Sequence, residues 1–373
     1  MPTSQITVFL VTIHKNSLGG SFLSAIETAA TEKRIGRDIS IWATVPNQKN
    51  QLQEIANEHN VRIEFISKTK FIMRLILHRI INQRSQVLHI HSGLPYVSKK
   101  IHIIRFLHGS LPIIYWLHGS NPQNTLISDR QRSTHLNAAN KVNAIAVPSE
   151  SERNNHISIG IDANSIFSIP NIITIKAPLK AKNKPKGQQV IFFCSRISPG
   201  KGCANLIESI PHLRPNSTQL VIAGDGPLLQ ECQSLALSLD LKVNFLGHVK
   251  DPIPLYQQAS VFVAPSISES FGRTAFEAAL SNTPMVLANI PPWNTIFEDG
   301  KHCSFVDPTS PIDIANKIQN LLDQPETALK YARNAKLIAI DFCSPKKVMS
   351  KLNTIYQHLR IDPSSLTKQR SHL

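Results

Sequence analysis

Short apolar runs alternate along this chain with stretches of helical period, the pattern of βαβ units built on mostly parallel sheets. In the first half, residues 6–13, 39–43, 61–66, 87–91, 112–117 and 144–147 read as strands. The first helix, 21–35, places Phe22, Leu23, Ile26, Ala29 and Ala30 on one face and meets a stop at Gly36. A second alternating half gives strands at 190–194, 220–223, 243–246, 261–264, 284–288 and 303–306. An amphipathic helix, 345–359, ends the pattern, and no repeat of solenoid length interrupts it.

Residues 172–189 break the alternation, with five lysines, two prolines and no helical period, and read as a linker. At 373 residues the chain exceeds what one core usually serves. The expected division is therefore 1–172 as one Rossmann-like domain, 173–189 as linker, 190–342 as a second such domain, 343–360 as a closing helix and 361–373 as a mobile tail. The apolar run 6–13 is too short to span a membrane and follows no basic segment. Five cysteines, at 194, 203, 232, 303 and 343, form no C-x-x-C pair and are odd in number, which points to a reducing, cytoplasmic setting without disulfides or zinc.

Charge changes the picture in one respect. Of the net +15, residues 1–172 carry +8, 173–189 carry +5, 190–342 carry −3 and 343–373 carry +5. An anionic surface or acceptor facing the first half is one reading, and solubility with a basic tail is the other. Residues 71–84, apolar at helical spacing with Arg74, Arg79 and Arg84, would suit either an anionic membrane or ordinary packing on a sheet. Nucleic acid is not among the expected partners.

Candidate chemistry is concentrated in the second half. Glu269 and Glu277 lie eight residues apart around Gly272, in a polar loop that opens a helix. Were the segment wholly helical, they would be ~12 Å apart, comparable to the span from hexose to ribose in a nucleotide-sugar. Gly272 would admit close backbone approach, and the helix N-terminus offers N–H groups to a diphosphate. Arg196 and Lys201 flank Ser-Pro-Gly after a strand, placed to neutralise charge on a departing diphosphate. This is not a Walker loop, because Ser195 stands at its first glycine and Gly202 follows the lysine. Gly224-Asp225-Gly226 is no dinucleotide fingerprint either, with Leu229 at the third glycine. Gly19-Gly20 sits between the first strand and helix; His118 ends a strand ahead of Gly119. His89 and His91 would share one face of a strand and invite a metal, but no third ligand stands at recognisable spacing.

Together these segments resemble the retaining family 4 glycosyltransferases of the GT-B fold. Glu269 to Glu277 is similar to that family's E-x7-E motif, 196–202 to its R-x4-K-G turn, and 224–227 to its G-x-G-P turn. The segments at Gly19-Gly20 and at 116–119 match in the same order. Ser21-Phe22 departs from the small-Glu pair that more often follows the glycines, and Ile172 replaces the glycine of the P-N-G turn at Pro170-Asn171. The resemblance implies two Rossmann-like domains with a cleft between them and a C-terminal helix crossing back to the first. It also implies transfer of a hexose-type sugar from a nucleotide-diphosphate sugar to a glycan or lipid-linked acceptor, without cofactor or metal. Glu269, His118, Arg196 and Lys201 would then be catalytic. Gly19, Gly20, Gly224, Asp225, Ser270, Phe271, Gly272 and Glu277 would bind the donor, Glu277 through the ribose, with Glu269 left open as nucleophile or electrostatic support. A nucleotide-sugar epimerase of the same fold and a silent nucleotide-sugar-binding subunit are the rival readings.

Overall fold

The structure, a computed structural model, describes residues 6–12, 20–44, 49–67, 69–70, 73, 87–92, 98–107, 111–118, 129–175, 189–214 and 218–361. The chain divides into two compact units, Met1–Ile172 with Pro345–Leu373, and Ile173–Ser344. Ile172 is buried in the core of the first unit and Ile173 in that of the second. Most of the expected linker lies outside the described residues.

The first unit is a parallel sheet of β1 (Ile6–Thr12), β2 (Asp38–Thr44), β3 (Ile63–Phe65), β4 (Val87–Ser92), β5 (Ile113–Leu117), β6 (Ala144–Val147) and β7 (Ile166–Ser168), in the order β3-β2-β1-β4-β5-β6-β7. Helix Gly20–Arg34 is buried from Phe22 to Glu32 on more than the expected stripe, Leu23 alone being partly exposed in that run. Its stop is as expected: Gly36 has φ 91° and donates its N–H to Lys33 O. Ile172, where a P-N-G turn would have glycine, is fully buried, while Asn171 Oδ1 accepts from Ser24 Oγ at 2.7 Å.

Strand alternation decides what faces helix Pro345–His358. Val87, Ile114, Trp116, Ala144 and Ala146 pack with Val348, Met349, Leu352, Ile355 and Tyr356 in one cluster. The helix thus completes the first unit's core, although 172 residues of the other unit precede it in sequence.

The second unit carries β8 (Gln189–Cys194), β9 (Thr218–Ala223), β10 (Val243–Gly247), β11 (Val261–Ala264), β12 (Met285–Ala288) and β13 (Ser304–Val306), all parallel, in the order β10-β9-β8-β11-β12-β13. Strands β11 and β12 are buried throughout, as expected of a sheet covered on both faces. Helix Pro325–Phe342 turns Ala328, Ala332, Ala335 and Ala339 inward at helical spacing; small side chains let it lie close. Among the described residues no helix is long and apolar enough to cross a membrane.

Candidate active site

The second sheet changes direction between β8 and β11, with β9 and β10 to one side and β12 and β13 to the other. Ligands of open parallel sheets bind off the carboxyl ends of the strands at such a reversal. Both motif segments start there, 195–202 after β8 and 265–272 after β11. The turn after β9 joins them. Ile197 N–H donates to Asp225 O at 2.9 Å, Leu228 N–H to Ile197 O at 3.1 Å, and Ile267 N–H to Gly200 O at 2.8 Å.

Gly224 is what permits that closeness: a methyl group on it would stand 1.8 Å from Ser195 O and 3.0 Å from Ser195 C. Both are main-chain atoms and cannot swing aside. Gly200 also has positive φ, 82°, but open space around it. Gly224→Ala is therefore expected to cost the second unit about 3 kcal/mol, and Gly200→Ala about 1 kcal/mol from the left-handed backbone alone. Urea unfolding of both variants measures this, and equal losses would show that packing at Gly224 is not the constraint. Asp225 serves its own turn, its Oδ1 accepting from Gly226 N–H at 2.7 Å.

Glu269 is nearly buried and its Oε1 takes two donors, Lys201 Nζ at 2.7 Å and Ser266 Oγ at 3.0 Å. The lysine and the glutamate, 68 positions apart, are thus one charged unit. Arg196 differs: it is exposed, and among the described residues it has no ion-pair partner. The two cations read from sequence as equivalent are thus held quite differently.

The segment from Glu269 to Glu277 is only half helical. Helix Arg273–Leu280 begins after Gly272, whose φ of 71° no continuous helix could contain, so the wholly helical ~12 Å span does not apply. A methyl on Gly272 would meet Trp293 Nε1 at 2.1 Å. The indole is fully buried against this turn, and among the described residues its N–H has no hydrogen-bond partner. Phe271 turns inward, stacked on Phe276 at 4.6 Å, so only its backbone is available to a ligand. Apolar packing therefore fixes a polar loop from behind.

Glu277 is gripped at both oxygens, by Arg273 Nε at 2.8 Å on Oε1 and by Tyr256 O–H at 3.3 Å on Oε2. Burial, then the charge of Glu277, pushes the thiol of neighbouring Cys194 up to about 12, so it is neutral at physiological pH. Arg273 was legible as an i,i+4 partner on a helix. Tyr256 was not, since it comes from helix Ile253–Gln258, across the chain from the motif.

In the first unit His118 follows β5 and is half-buried, its Nε2 2.9 Å from His91 Nδ1. Burial lowers its pKa to about 4 and that of His89 to about 3, and pushes His91 well down too. His89 and His91 lie on one face as the alternation required, their rings 6.3 Å apart and nearly parallel. Among the described residues no group of three or more His, Cys, Asp or Glu could hold a metal ion. Gly20 opens the first helix; Gly19, Gly119, Arg74, Arg79 and Arg84 lie outside the described residues.

Residues 175–338 match the family model described as glycosyl transferases group 1. An uncharacterized glycosyltransferase of Methanocaldococcus jannaschii is 33% identical over 154 residues, 40% of each chain. The poly(ribitol-phosphate) alpha-N-acetylglucosaminyltransferase of Staphylococcus aureus is 25% identical over 247 residues, 64% of this chain and 49% of that one. The chain spans about half or less of the length of these curated relatives. Among solved structures, Anabaena HepE in complex with UDP and glucose superposes with a TM-score of 0.79 at 19% identity, over 94% of this chain and 99% of that one. Such a likeness gives the fold, the GT-B architecture of glycosyltransferases.

Proposed function

We propose that this chain, whose residues 175–338 belong to the glycosyl transferases group 1 family, moves a hexose-type sugar from a nucleotide-diphosphate sugar to a glycan or lipid-linked acceptor with retention of configuration, in cell-surface polysaccharide or glycolipid synthesis. One observation carries the reading. Lys201 and Glu269 form an ion pair at the reversal point of the second sheet, the glutamate four residues ahead of a helix start whose N–H groups suit a diphosphate. In this mechanism Lys201 meets the charge that grows on the leaving diphosphate, and Arg196, exposed and without an ion-pair partner among the described residues, draws the same group in. Glu277, held by Arg273 and Tyr256, accepts from the ribose. Glu269 faces the sugar with Oε1 already committed to a cation and a hydroxyl, which blunts it as a nucleophile and suits electrostatic support of an oxocarbenium-like state. The anionic-membrane contact of the first unit belongs to this same reading, through its charge of +8 over residues 1–172.

A panel of nucleotide-sugars, with and without glycan acceptors and in excess EDTA, tests this directly. UDP-glucose and UDP-N-acetylglucosamine come first, since HepE was crystallised with UDP-glucose and the Staphylococcus relative is an N-acetylglucosaminyltransferase. Acceptor-dependent release of nucleoside diphosphate is expected and should survive the chelator, because Lys201 and the helix N-terminus supply the positive charge. Loss in EDTA restored by Mg²⁺ or Mn²⁺ would overturn the metal-free account. An epimerised sugar made without acceptor, or donor binding with no turnover, would overturn transfer itself. The anomeric configuration of the product, read by NMR, decides retention.

A further inference from the structure

Four rings on one face of the first sheet form a stack of which the proposed chemistry uses only His118. His89 and His91 alternate along β4, Trp116 lies on β5 with His118 just beyond its end, and the strand register places His91 beside Trp116. Trp116 lies over His91 at 4.9 Å with 15° between planes, and His91 over His118 at 5.1 Å with 21°.

The stack is anchored at its inner end. An indole N–H can only donate, so Trp116 Nε1 gives its proton to His89 Nδ1 at 3.2 Å, and the other nitrogen of His89 must carry hydrogen. His89 Nε2 then donates to the Tyr356 oxygen at 3.0 Å, and Tyr356 O–H donates to Glu32 Oε1 at 2.6 Å. Arg37 holds that carboxylate at 3.1 Å and Asn353 at 2.7 Å. Every donor direction from Trp116 to Arg37 is thereby fixed, and every side chain in it is buried apart from partly exposed Asn353. Trp116 cannot turn without breaking the chain, and His91 cannot turn without leaving Trp116.

We propose that His91 is a positioning residue for His118: clamped by Trp116, it fixes the ring plane of His118 through the Nδ1···Nε2 hydrogen bond and so sets the direction in which the other nitrogen of His118, Nδ1, is presented to a ligand. The inference rests on the reading of His118 as a donor-side residue. It adds the group that His118 depends on.

Three variants test it: His91→Phe, which keeps a ring in the stack without nitrogen; His91→Asn, which keeps a polar atom near the δ position; and His91→Phe combined with His118→Ala. His91→Phe is expected to lower kcat by about 10- to 100-fold at nearly unchanged donor KM. His91→Asn should recover most of that loss, and the combined variant should turn over no more slowly than His118→Ala alone. Wild-type kcat in His91→Phe, or a combined loss that multiplies, overturns the proposal. Nitrogen-15 spectra of His118 read the pair without turnover. A single tautomer in the wild type that is lost in His91→Phe supports the pairing even if no donor is turned over, whereas an unchanged His118 spectrum overturns it. Wild-type kcat in His118→Ala together with a lost tautomer preference in His91→Phe would overturn the donor role of His118 and leave the pairing intact.

Discussion

Lys201→Ala and Glu269→Gln should each lower single-turnover release of nucleoside diphosphate by roughly 10²- to 10³-fold, while the double variant falls little further. The expectation follows from the 2.7 Å contact and from burial: the lysine side chain is 26% exposed and the glutamate 12%. Removing the lysine takes away the leaving-group cation and also leaves a mostly buried carboxylate with only Ser266 to satisfy it. Glu269 then loses the contact that holds it in place, so the first substitution already disables the second residue. Glu269→Gln acts in reverse, freeing Lys201 to swing toward solvent. Two residues working as one unit give a strongly non-additive cycle. Losses that multiply to 10⁴-fold or more would mean the two act separately and the ion pair is incidental. Arg196→Ala belongs outside the cycle. Exposed and without an ion-pair partner among the described residues, it should raise donor KM more than it lowers kcat, and its effect should multiply with either of the others.

What the sequence made legible was the part of the fold with a strong local signal. Runs of period two or continuous apolar character marked twelve of the strands, but Ile166–Ser168 is a three-residue edge strand with one neighbour, and three residues carry no period. Glycine was read correctly in kind and incompletely in cause. Gly272 looked like a place where a ligand approaches the backbone, and Gly224 like a donor-binding position by resemblance; in the structure Trp293 and Ser195 O already occupy the space a side chain would need. The protein demands those glycines before any ligand does. Phe271 shows the same limit, since a motif records that a position matters without saying whether its side chain faces substrate or core.

Contacts across sequence distance were the least visible. Lys201 and Glu269 were each read as functional, yet their pairing depends on β11 lying beside β8, which no local pattern encodes. His91 was weighed only as a metal ligand with His89. Its partnership with His118 appears once β4 and β5 are set in register, and the Tyr356–Glu32 bond, between residues 324 positions apart, appears only once the last helix packs on the first unit.

Acid should loosen the first unit before the second. Burial holds His89 and His135 at about 3 and His118 at about 4, and also lowers His91 and His156. All five lie in the first unit, and in the unfolded chain each titrates near 6.5. Between those values the unfolded state binds more protons, so stability is full above about pH 6.5 and falls as pH drops toward the folded pKa. At pH 5 the fully buried His89 and His135 would each remove about 2 kcal/mol, a large share of a typical domain's stability. His118 removes less, being half-buried and partly screened. Glu32 works in the opposite sense, since burial raises its pKa and protonation in the fold offsets part of the loss, while Arg37 opposes that rise. Among the described residues, the titratable groups facing His135 include His156, 5.2 Å away, and Glu152, which pairs with His156. Among the described residues both ring nitrogens of His135 are buried without hydrogen-bond partners, so no hydrogen bond offsets its burial. In the second unit burial also lowers His302, which is less enclosed. Hydrogen exchange, corrected for the intrinsic pH dependence of the rate, should show strands β4 to β6 losing protection between pH 6.5 and 5 while β8, β11 and β12 keep theirs. His135→Phe removes one titrating group and fills its site with an apolar ring, so it should move the first unit's acid midpoint downward. Simultaneous loss in both units, or an unmoved midpoint in His135→Phe, would show that these buried imidazoles do not set the acid limit.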